Sequence, residues 1–147
     1  MKFGMLYEQQ LPRPWDERSE YQMFQDALDQ VVLADRLGFD HAWQVEHHFM
    51  DEFSHSSSPE TFLAAAAART SRIRLSHGIR HCHPNINHPA RVAEQISTLD
   101  LISGGRVDFG FGAGATRIEI EGYGASLHNR AQASLEAVEQ IVKRNAT

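Results

Sequence analysis

The sequence predicts an α/β fold with a parallel sheet, built from four β/α units. Short runs of strand-forming residues alternate four times with segments of helical periodicity. Such alternation is typical of parallel sheets with right-handed crossovers. The helix-to-strand connections are short and the strand-to-helix connections are long. This asymmetry indicates that function lies at the carboxyl ends of the strands.

The first unit combines a strand predicted over residues 2–7 with a helix that opens at Ser19. Gln22 follows Ser19 by three residues, which matches a capping box. Gly38 marks the predicted end of the helix. The apolar residues at helical spacing are Tyr21, Phe24, Leu28 and Val31.

The second and third units follow the same pattern. The second strand is predicted over residues 41–45, with Trp43 in the core, and its helix opens at Ser58-Pro59-Glu60, a cap followed by proline at the first helical position. The third strand is predicted over residues 73–79, and the third helix over residues 89–102.

The fourth unit has a strand predicted over residues 106–111 and a helix capped by Asn129 with Gln132. The apolar residues of this helix are Leu135, Val138, Ile141 and Val142. Hydrogen bonds among Asp100, Ser103 and Arg106 are expected to fix the tight turn before the strand.

Composition limits the classes of partner. The net charge is −5 with both signs interleaved, so neither nucleic acid nor a membrane is an expected partner. Cys82 is the single cysteine, which fits a reducing compartment, and no apolar run is long enough for a membrane helix. We expect one cytoplasmic domain over residues 1–147.

Glu46-His47-His48 stands where the second strand ends. Alternation along an extended chain directs Glu46 and His48 to one side and His47 to the other. A histidine here is a candidate acid/base, a donor to a developing anion, or a metal ligand. The alternative is a pair of half-exposed polar residues that close a strand, and the spacing alone leaves both interpretations open.

Histidines concentrate at the ends of the second and third strands. Six of the nine lie there: His47, His48, His77, His81, His83 and His88. This suggests a metal site, but the sequence has no His-Glu-x-x-His motif, and Cys82 separates His81 from His83. The metal hypothesis is therefore the weaker one, and no metal ligand is assigned.

Glycines at 110, 112 and 114 end the fourth strand, where they would let a ligand approach the backbone closely. They do not form the dinucleotide fingerprint, because Ala115 and Arg117 occupy the positions where a third glycine would fall. The alternative is a flexible turn.

Several short motifs in this order carry a family resemblance. They are Lys2-Phe3-Gly4, Gly38-Phe39-Asp40, Trp43 to Phe49, His88-Pro89 with Arg91, Leu99-Asp100, Ser103 to Arg106, and Gly110 to Gly114. Together they resemble the bacterial luciferase-like, flavin-dependent monooxygenases over essentially the whole chain, as the N-terminal half of such an enzyme.

The resemblance implies a (β/α)₈ TIM barrel that binds reduced FMN, or in some branches F420, at the carboxyl face. The FMN enzymes take flavin reduced elsewhere, by a flavin reductase, and use O₂ to oxidise a small organic substrate. His47 matches the histidine beside the flavin and is the expected catalytic acid/base. The expected cofactor-binding residues are Glu46, His77, Gly78, Gly112 and Ala113, the backbone at His77-Gly78 often lying against the flavin ring through a non-proline cis peptide.

Two departures from the family pattern bear on these expectations. In bacterial luciferase an arginine near the position of Ala113 contacts phosphate, so Ala113 indicates another branch of the family. Four β/α units also make only half of a barrel that typically has ~250 residues, and its usual phosphate loops follow strands seven and eight. We therefore expect either a fragment that lacks its C-terminal half or self-association, with the outer strands as open edges.

Three alternatives to an FMN monooxygenase remain open: an F420-dependent hydride-transfer enzyme of the same superfamily, a metal-dependent barrel hydrolase, and a non-catalytic truncated chain that binds flavin or a partner.

Overall fold

The computed structural model describes residues 1–145, which form six short strands and five helices. The strands are β1 (Gly4–Tyr7), β2 (His41–Gln44), β3 (Arg74–His77), β4 (Arg80–His81), β5 (Val107–Asp108) and β6 (Phe111–Gly112). The helices are α1 (Ser19–Leu37), α2 (Pro59–Arg69), α3 (Pro89–Ser103), α4 (Arg117–Gly122) and α5 (Arg130–Asn145). None of the helices in this part of the chain is long and apolar enough to cross a membrane.

The main sheet has the order β1-β2-β3-β5, and every neighbouring pair is parallel. The register aligns one row across all four strands, through Leu6, Trp43, Ser76 and Asp108. The prediction of parallel strands in sequence order is confirmed. Within the described residues, β1 and β5 are the two edges of this sheet.

The helices cover the sheet face opposite that row. Ala42 and Leu75, which alternate with the row, are buried in a core shared with Val31 of α1 and Leu63 of α2. Burial of a valine or leucine side chain stabilises the fold by roughly 1.5–3 kcal/mol. Trp43 was predicted to lie in the core; it lies instead outside both buried clusters, stacked on His41 on the other face, because its strand position has the opposite parity to Ala42.

The third and fourth strands are each interrupted, although the sequence predicts them as continuous. β3 ends at His77 and its direction resumes in β4, while β5 ends at Asp108 and resumes in β6, which pairs in parallel with β4. Gly110 accounts for the break, because a side chain there would overlap the carbonyl oxygen of His77. The Gly78–Ile79 peptide bond, which lies between β3 and β4, is cis.

The predicted cap of α1 is wrong. Ser19 is the first helical residue, and its hydroxyl donates to Asp16 and makes no hydrogen bond to the helix backbone. Of the apolar residues at helical spacing, Tyr21 is 57% exposed, whereas Leu28 and Val31 are buried. The first turn of α1 therefore extends beyond the core that its later turns cover.

The C-terminal helix is confirmed, but only part of its apolar face is buried. Ile141 is 1% exposed, whereas Leu135 and Val142 are exposed, contrary to the prediction, because the buried stripe passes through Ala137 instead. The short helix α4 was not predicted. It lies within the long connection after β6, and its six residues are too few to show a helical pattern in the sequence.

The predicted hydrogen bonds of the turn before β5 are confirmed. Arg106 donates its backbone N–H to Ser103 Oγ at 3.2 Å, and the Val107 N–H donates to Asp100 at 3.2 Å. This end of the sheet, opposite the carboxyl ends of the strands, is closed by compact turns.

Candidate active site

The carboxyl ends of β2, β3 and β6 meet around one cavity. Its volume is about 250 Å³. It is lined by Val45, Glu46, His47, Gly78, Ile79, His81, Gly114, Ala115 and Glu119. Three of the six predicted site residues, Glu46, His47 and Gly78, therefore contribute directly to its walls.

The other three predicted residues lie close by. Gly112 pairs in register with His81, at the edge of the cavity, and Ala113 follows it. The His77 side chain points away, towards the helix layer, where it contacts the ring of Phe109. Only the backbone after His77 approaches the cavity, at Gly78.

Glu46 is a buried carboxylate with three hydrogen-bond donors and a nearby cation. Oε1 accepts from His48 Nε2 at 3.0 Å and from Asn87 at 2.8 Å, while Oε2 accepts from the His81 N–H at 2.8 Å. Arg80 lies 3.3 Å from Oε2. Burial by itself raises the pKa of Glu46, but the hydrogen bond from His48 and the charge of Arg80 outweigh it and hold that pKa below its usual range. Glu46 is thus an ionised, fully bonded anchor.

His47 points to the other side of the strand, as alternation predicts. Its Nδ1 lies 2.9 Å from Glu119 Oε1, and its Nε2 lies 3.5 Å from Glu8 Oε2. The ring of Phe53 packs edge-on against the imidazole. His47 is about one quarter exposed, so its ring is oriented by protein contacts and remains accessible from the cavity.

Glu119 on α4 connects the His47 side chain to the backbone that follows β2. It is 1% exposed and accepts from His47 Nδ1, from the His48 N–H at 2.9 Å, and from the Thr116 hydroxyl. Burial raises its pKa, but the bonds from Thr116 and the two histidine groups reverse the effect and lower it. Glu119 is therefore a second ionised carboxylate in the wall of the cavity.

The buried histidines beside the cavity are neutral. Burial lowers the pKa of His77 to about 4, and burial likewise lowers the pKa of His81. The Nδ1 atom of each is buried without a hydrogen-bond partner. Burial also raises the pKa of Cys82 to about 12, which makes it an inert thiol. Among residues 1–145, no group of three His, Cys, Asp or Glu side chains is arranged to hold a metal ion.

The glycine-rich turn is held tightly against this cluster. Gly114 has a φ of +77°, and a side chain there would lie 2.7 Å from the His81 ring. The position therefore requires glycine for both its backbone conformation and its space. The Gly114 carbonyl accepts from Arg130 at 3.1 Å, which ties the turn to the start of α5.

A larger cavity, of about 980 Å³, lies elsewhere, along the open edge of β1. Its walls come from β1, α1 and the connection between them, and none of its lining residues is a histidine or cysteine. The smaller cavity combines His47, two ionised carboxylates and exposed backbone, so we assign the candidate site there.

The sequence did not identify four residues that complete the site: Glu8, Arg80, Glu119 and Tyr123. Tyr123 lies 3.0 Å from His48 Nδ1 and so extends the Glu46–His48 pair. Glu8 carried a usable signal, because it directly follows β1 at the same edge as Glu46. Glu119 and Tyr123 carried none, since they belong to α4 and its end, an element that the pattern did not predict.

A family model described as luciferase-like monooxygenase matches residues 1–144. The limonene 1,2-monooxygenase of Rhodococcus erythropolis is 41% identical over 104 residues, which are 69% of this chain and 26% of that protein. The oxygenase component of a flavin-dependent trigonelline monooxygenase from Acinetobacter baylyi is 30% identical over 121 residues, covering 82% of this chain and 32% of that protein. The chain thus spans about a third of the length of these relatives, or less.

Solved structures with the same fold include further monooxygenases. The monooxygenase RslO1 of Streptomyces bottropensis is 39% identical with a TM-score of 0.86, over 96% of this chain and 42% of that one. The oxygenating constituent of 3,6-diketocamphane monooxygenase from Pseudomonas putida, solved with FMN, is 26% identical with a TM-score of 0.85, over 96% and 38%. An F420-dependent tetrahydromethanopterin reductase from Methanopyrus kandleri is 28% identical with a TM-score of 0.62, over 86% and 30%.

Proposed function

The protein belongs to the luciferase-like monooxygenase family, and from that premise we propose that it is a flavin-dependent oxidoreductase, a monooxygenase that uses reduced FMN and O₂ on a small organic substrate. The observation that carries the proposal is the meeting of His47, the Gly78–Ile79 backbone and the Gly114 turn around one cavity at the carboxyl ends of the strands. Cofactor sites in α/β folds lie at this edge.

The residues present fit a flavin ring system. Val45, Ile79 and Ala115 give the cavity apolar walls, and the glycines leave backbone exposed for hydrogen bonds to a flat heterocycle. A volume of about 250 Å³ lies just below the ~300–1,000 Å³ typical of such sites, which suits the ring rather than the whole cofactor. In this assignment Glu46, His77, Gly78, Gly112 and Ala113 shape the ring site, His77 through its backbone only.

The cavity wall offers no cationic side chain for the phosphate of FMN. None of the residues that line the cavity is lysine or arginine, and Ala113 offers no charge. Each charge-assisted hydrogen bond that is not made forgoes roughly 1.5–3 kcal/mol, and every 1.4 kcal/mol is about tenfold in affinity. We therefore expect this chain by itself to bind FMN weakly and to turn over no substrate, unless a second copy or further β/α units contribute.

Bound reduced flavin would supply the electrons with which O₂ is activated. The chain's own contribution is acid/base and positional. His47 would hold and release a proton at its ring nitrogens, because both face carboxylates and the ring borders the cavity. Glu46 would keep the rim rigid through its bonds to His48, Asn87 and the His81 backbone. The apolar walls would exclude water from the reacting atoms.

A separate flavin reductase is the proposed source of reduced flavin. The supporting observation is that the trigonelline relative is the oxygenase component of its enzyme. The buried, unreactive Cys82 agrees with a reducing, cytoplasmic compartment.

Hydride transfer with F420 is the second candidate function. It is favoured by the likeness to the F420-dependent reductase, and a flat deazaflavin ring would meet the same apolar walls. The metal-dependent hydrolase has no supporting ligand group among the described residues. The non-catalytic chain remains an outcome of the experiment below.

The experiment is a titration of the 147-residue chain with FMN and, separately, with F420, while its mass in solution is measured by light scattering. We expect weak binding of FMN by the monomer and tighter binding in any oligomer. In an oligomer, or in a chain with further β/α units, O₂ uptake faster than the oxidation of free reduced FMN then separates a monooxygenase from an F420 enzyme. Tight, stoichiometric binding of FMN by a monomer would contradict the argument about the phosphate, and no binding of either cofactor in any state would contradict the function.

A further inference from the structure

Glu119 bonds to groups outside its own helix as well as within it. Its carboxylate is almost fully buried and accepts from three groups: the Thr116 hydroxyl of its own turn, the His48 N–H, and His47 Nδ1 at 2.9 Å. The first two fix the carboxylate itself, at the start of α4 and against the end of β2. The third fixes a side chain that reaches the cavity.

We infer that Glu119 is a positioning residue for His47: it holds the proton on Nδ1 and so makes Nε2 the nitrogen that exchanges protons. Which nitrogen of a histidine carries the proton is set by the hydrogen bond that the other nitrogen makes. Because a buried carboxylate can only accept, the Nδ1 that faces it must donate. The inference rests on the proposed role of His47, but the positioning itself is a property of this chain without a cofactor.

The opposite side of the ring supports the assignment. Glu8 Oε2 lies 3.5 Å from His47 Nε2, and this oxygen is buried without a hydrogen-bond partner. A nitrogen lone pair and a carboxylate oxygen repel each other unless a proton lies between them. The Nε2–Glu8 pair is therefore where the chain would hold a transferable proton, while Nδ1 remains bonded to Glu119 throughout.

Other groups do not compete for the same nitrogen. His81 Nε2 lies 3.8 Å from Glu119 Oε1, beyond hydrogen-bond distance, and His48 directs its ring to Glu46 and Tyr123. Phe53 covers the His47 ring with an apolar edge. Among the described residues, Glu119 is thus the one hydrogen-bond partner that the structure gives to His47 Nδ1.

The test is a long-range ¹H–¹⁵N correlation spectrum of histidine side chains in the chain without cofactor, with His47 assigned by its loss in His47→Gln. We expect wild-type His47 to carry its proton on Nδ1. In Glu119→Gln the charge is removed with little change of shape, and the amide is a weaker acceptor that can also present its N–H₂ to the ring, so the preference for Nδ1 should weaken. The matched control is Glu121→Gln, on the same helix but exposed and paired only with Arg117, which should leave the His47 signals unchanged.

Each result is decisive. If wild-type His47 carries its proton on Nε2 alone, or if Glu119→Gln leaves the spectrum unchanged, the inference is wrong. Because the wild-type spectrum stands by itself, the test survives a Glu119 variant that does not fold. In a reconstituted reaction, Glu119→Gln should lower kcat without raising KM, since a positioning residue acts on the proton step. Failure to bind flavin would overturn the proposed function. The spectrum would still test the inference about Glu119, because it is recorded without cofactor.

Discussion

The two ends of the sheet use charged side chains in opposite ways. At the amino end, two of them hold the turns by bonds to the backbone: Asp35 accepts from the N–H groups of Ser71, Arg72 and Ile73, each within 3.0 Å. Arg106 similarly donates to carbonyls of α2 and of the connection between α2 and β3. At the carboxyl end, charged side chains bond mostly to one another, as the His47–Glu119 and His48–Glu46 pairs do.

The difference separates stability from function. Where such a bond is shielded from water, its loss leaves backbone groups unsatisfied, at about 1–3 kcal/mol each. The carboxyl end instead leaves buried atoms without partners, at Glu8 Oε2 and His81 Nδ1. Unsatisfied groups of this kind are tolerated where a ligand or a proton completes them.

The largest effect is expected from His47, and only on activity. In a reaction reconstituted with a second copy or with further β/α units, His47→Gln should lower kcat by roughly 10²–10⁴-fold, the usual contribution of a general acid/base. Its unfolding free energy, from urea titration, should stay close to that of wild type. The matched control is His128→Gln, an exposed histidine away from the cavity. Equal activity in the two variants would remove His47 from the mechanism.

At the amino end we expect the reverse. Arg106→Ala removes the donor that satisfies carbonyls of Ala67, Thr70 and Ile73, so the free energy of unfolding should fall by about 4 kcal/mol. Arg91→Ala, which removes only an exposed pair with Glu94, should have little effect in the same urea titration. A small loss in Arg106→Ala would show that the turn does not depend on this side chain.

A somewhat smaller effect should appear as a pH dependence at His77. The unfolded chain protonates this group near pH 6.5, whereas the folded chain keeps it neutral down to a pKa of about 4. Because the unfolded state then binds more protons, stability is full above pH 6.5 and falls as the pH decreases towards 4. The maximum loss is about 3 kcal/mol.

The variant His77→Gln tests this slope. Urea unfolding at a series of pH values from 7.5 to 4.5 should show a steeper loss of stability in wild type than in His77→Gln, and His128→Gln should follow wild type. Parallel pH profiles for wild type and His77→Gln would contradict the burial of a neutral His77.

The sequence was sufficient for the order and direction of the strands, because alternation and turn chemistry are local. It also located Glu46, His47 and Gly78, since residues at the ends of parallel strands share one edge. The interruptions of the third strand at Gly78 and of the fourth strand at Gly110 were not predictable from the strand pattern, because the two backbones approach each other closely although they are far apart in sequence.

Glu119 was missed for a related reason. Its partners His47 and His48 lie 72 and 71 residues away, and the six-residue α4 that carries it has too short a pattern to recognise. Tyr21 illustrates a similar limit: its spacing is helical and it lies in α1, but periodicity cannot show where the neighbouring core ends. What the sequence lacked in both cases was the tertiary neighbour.

The proposed site for a flavin ring lies at the carboxyl end of the sheet. The most direct measurement is a ¹H–¹⁵N spectrum of the backbone during titration with FMN, carried to millimolar concentration because weak binding is expected. We expect shifts at His47, Gly78 and Gly114, which border the cavity, and none at Gly38 or Gly104, at the opposite end of the sheet. Shifts centred on Gly38 and Gly104, or no shifts in any oligomeric state, would contradict this proposal.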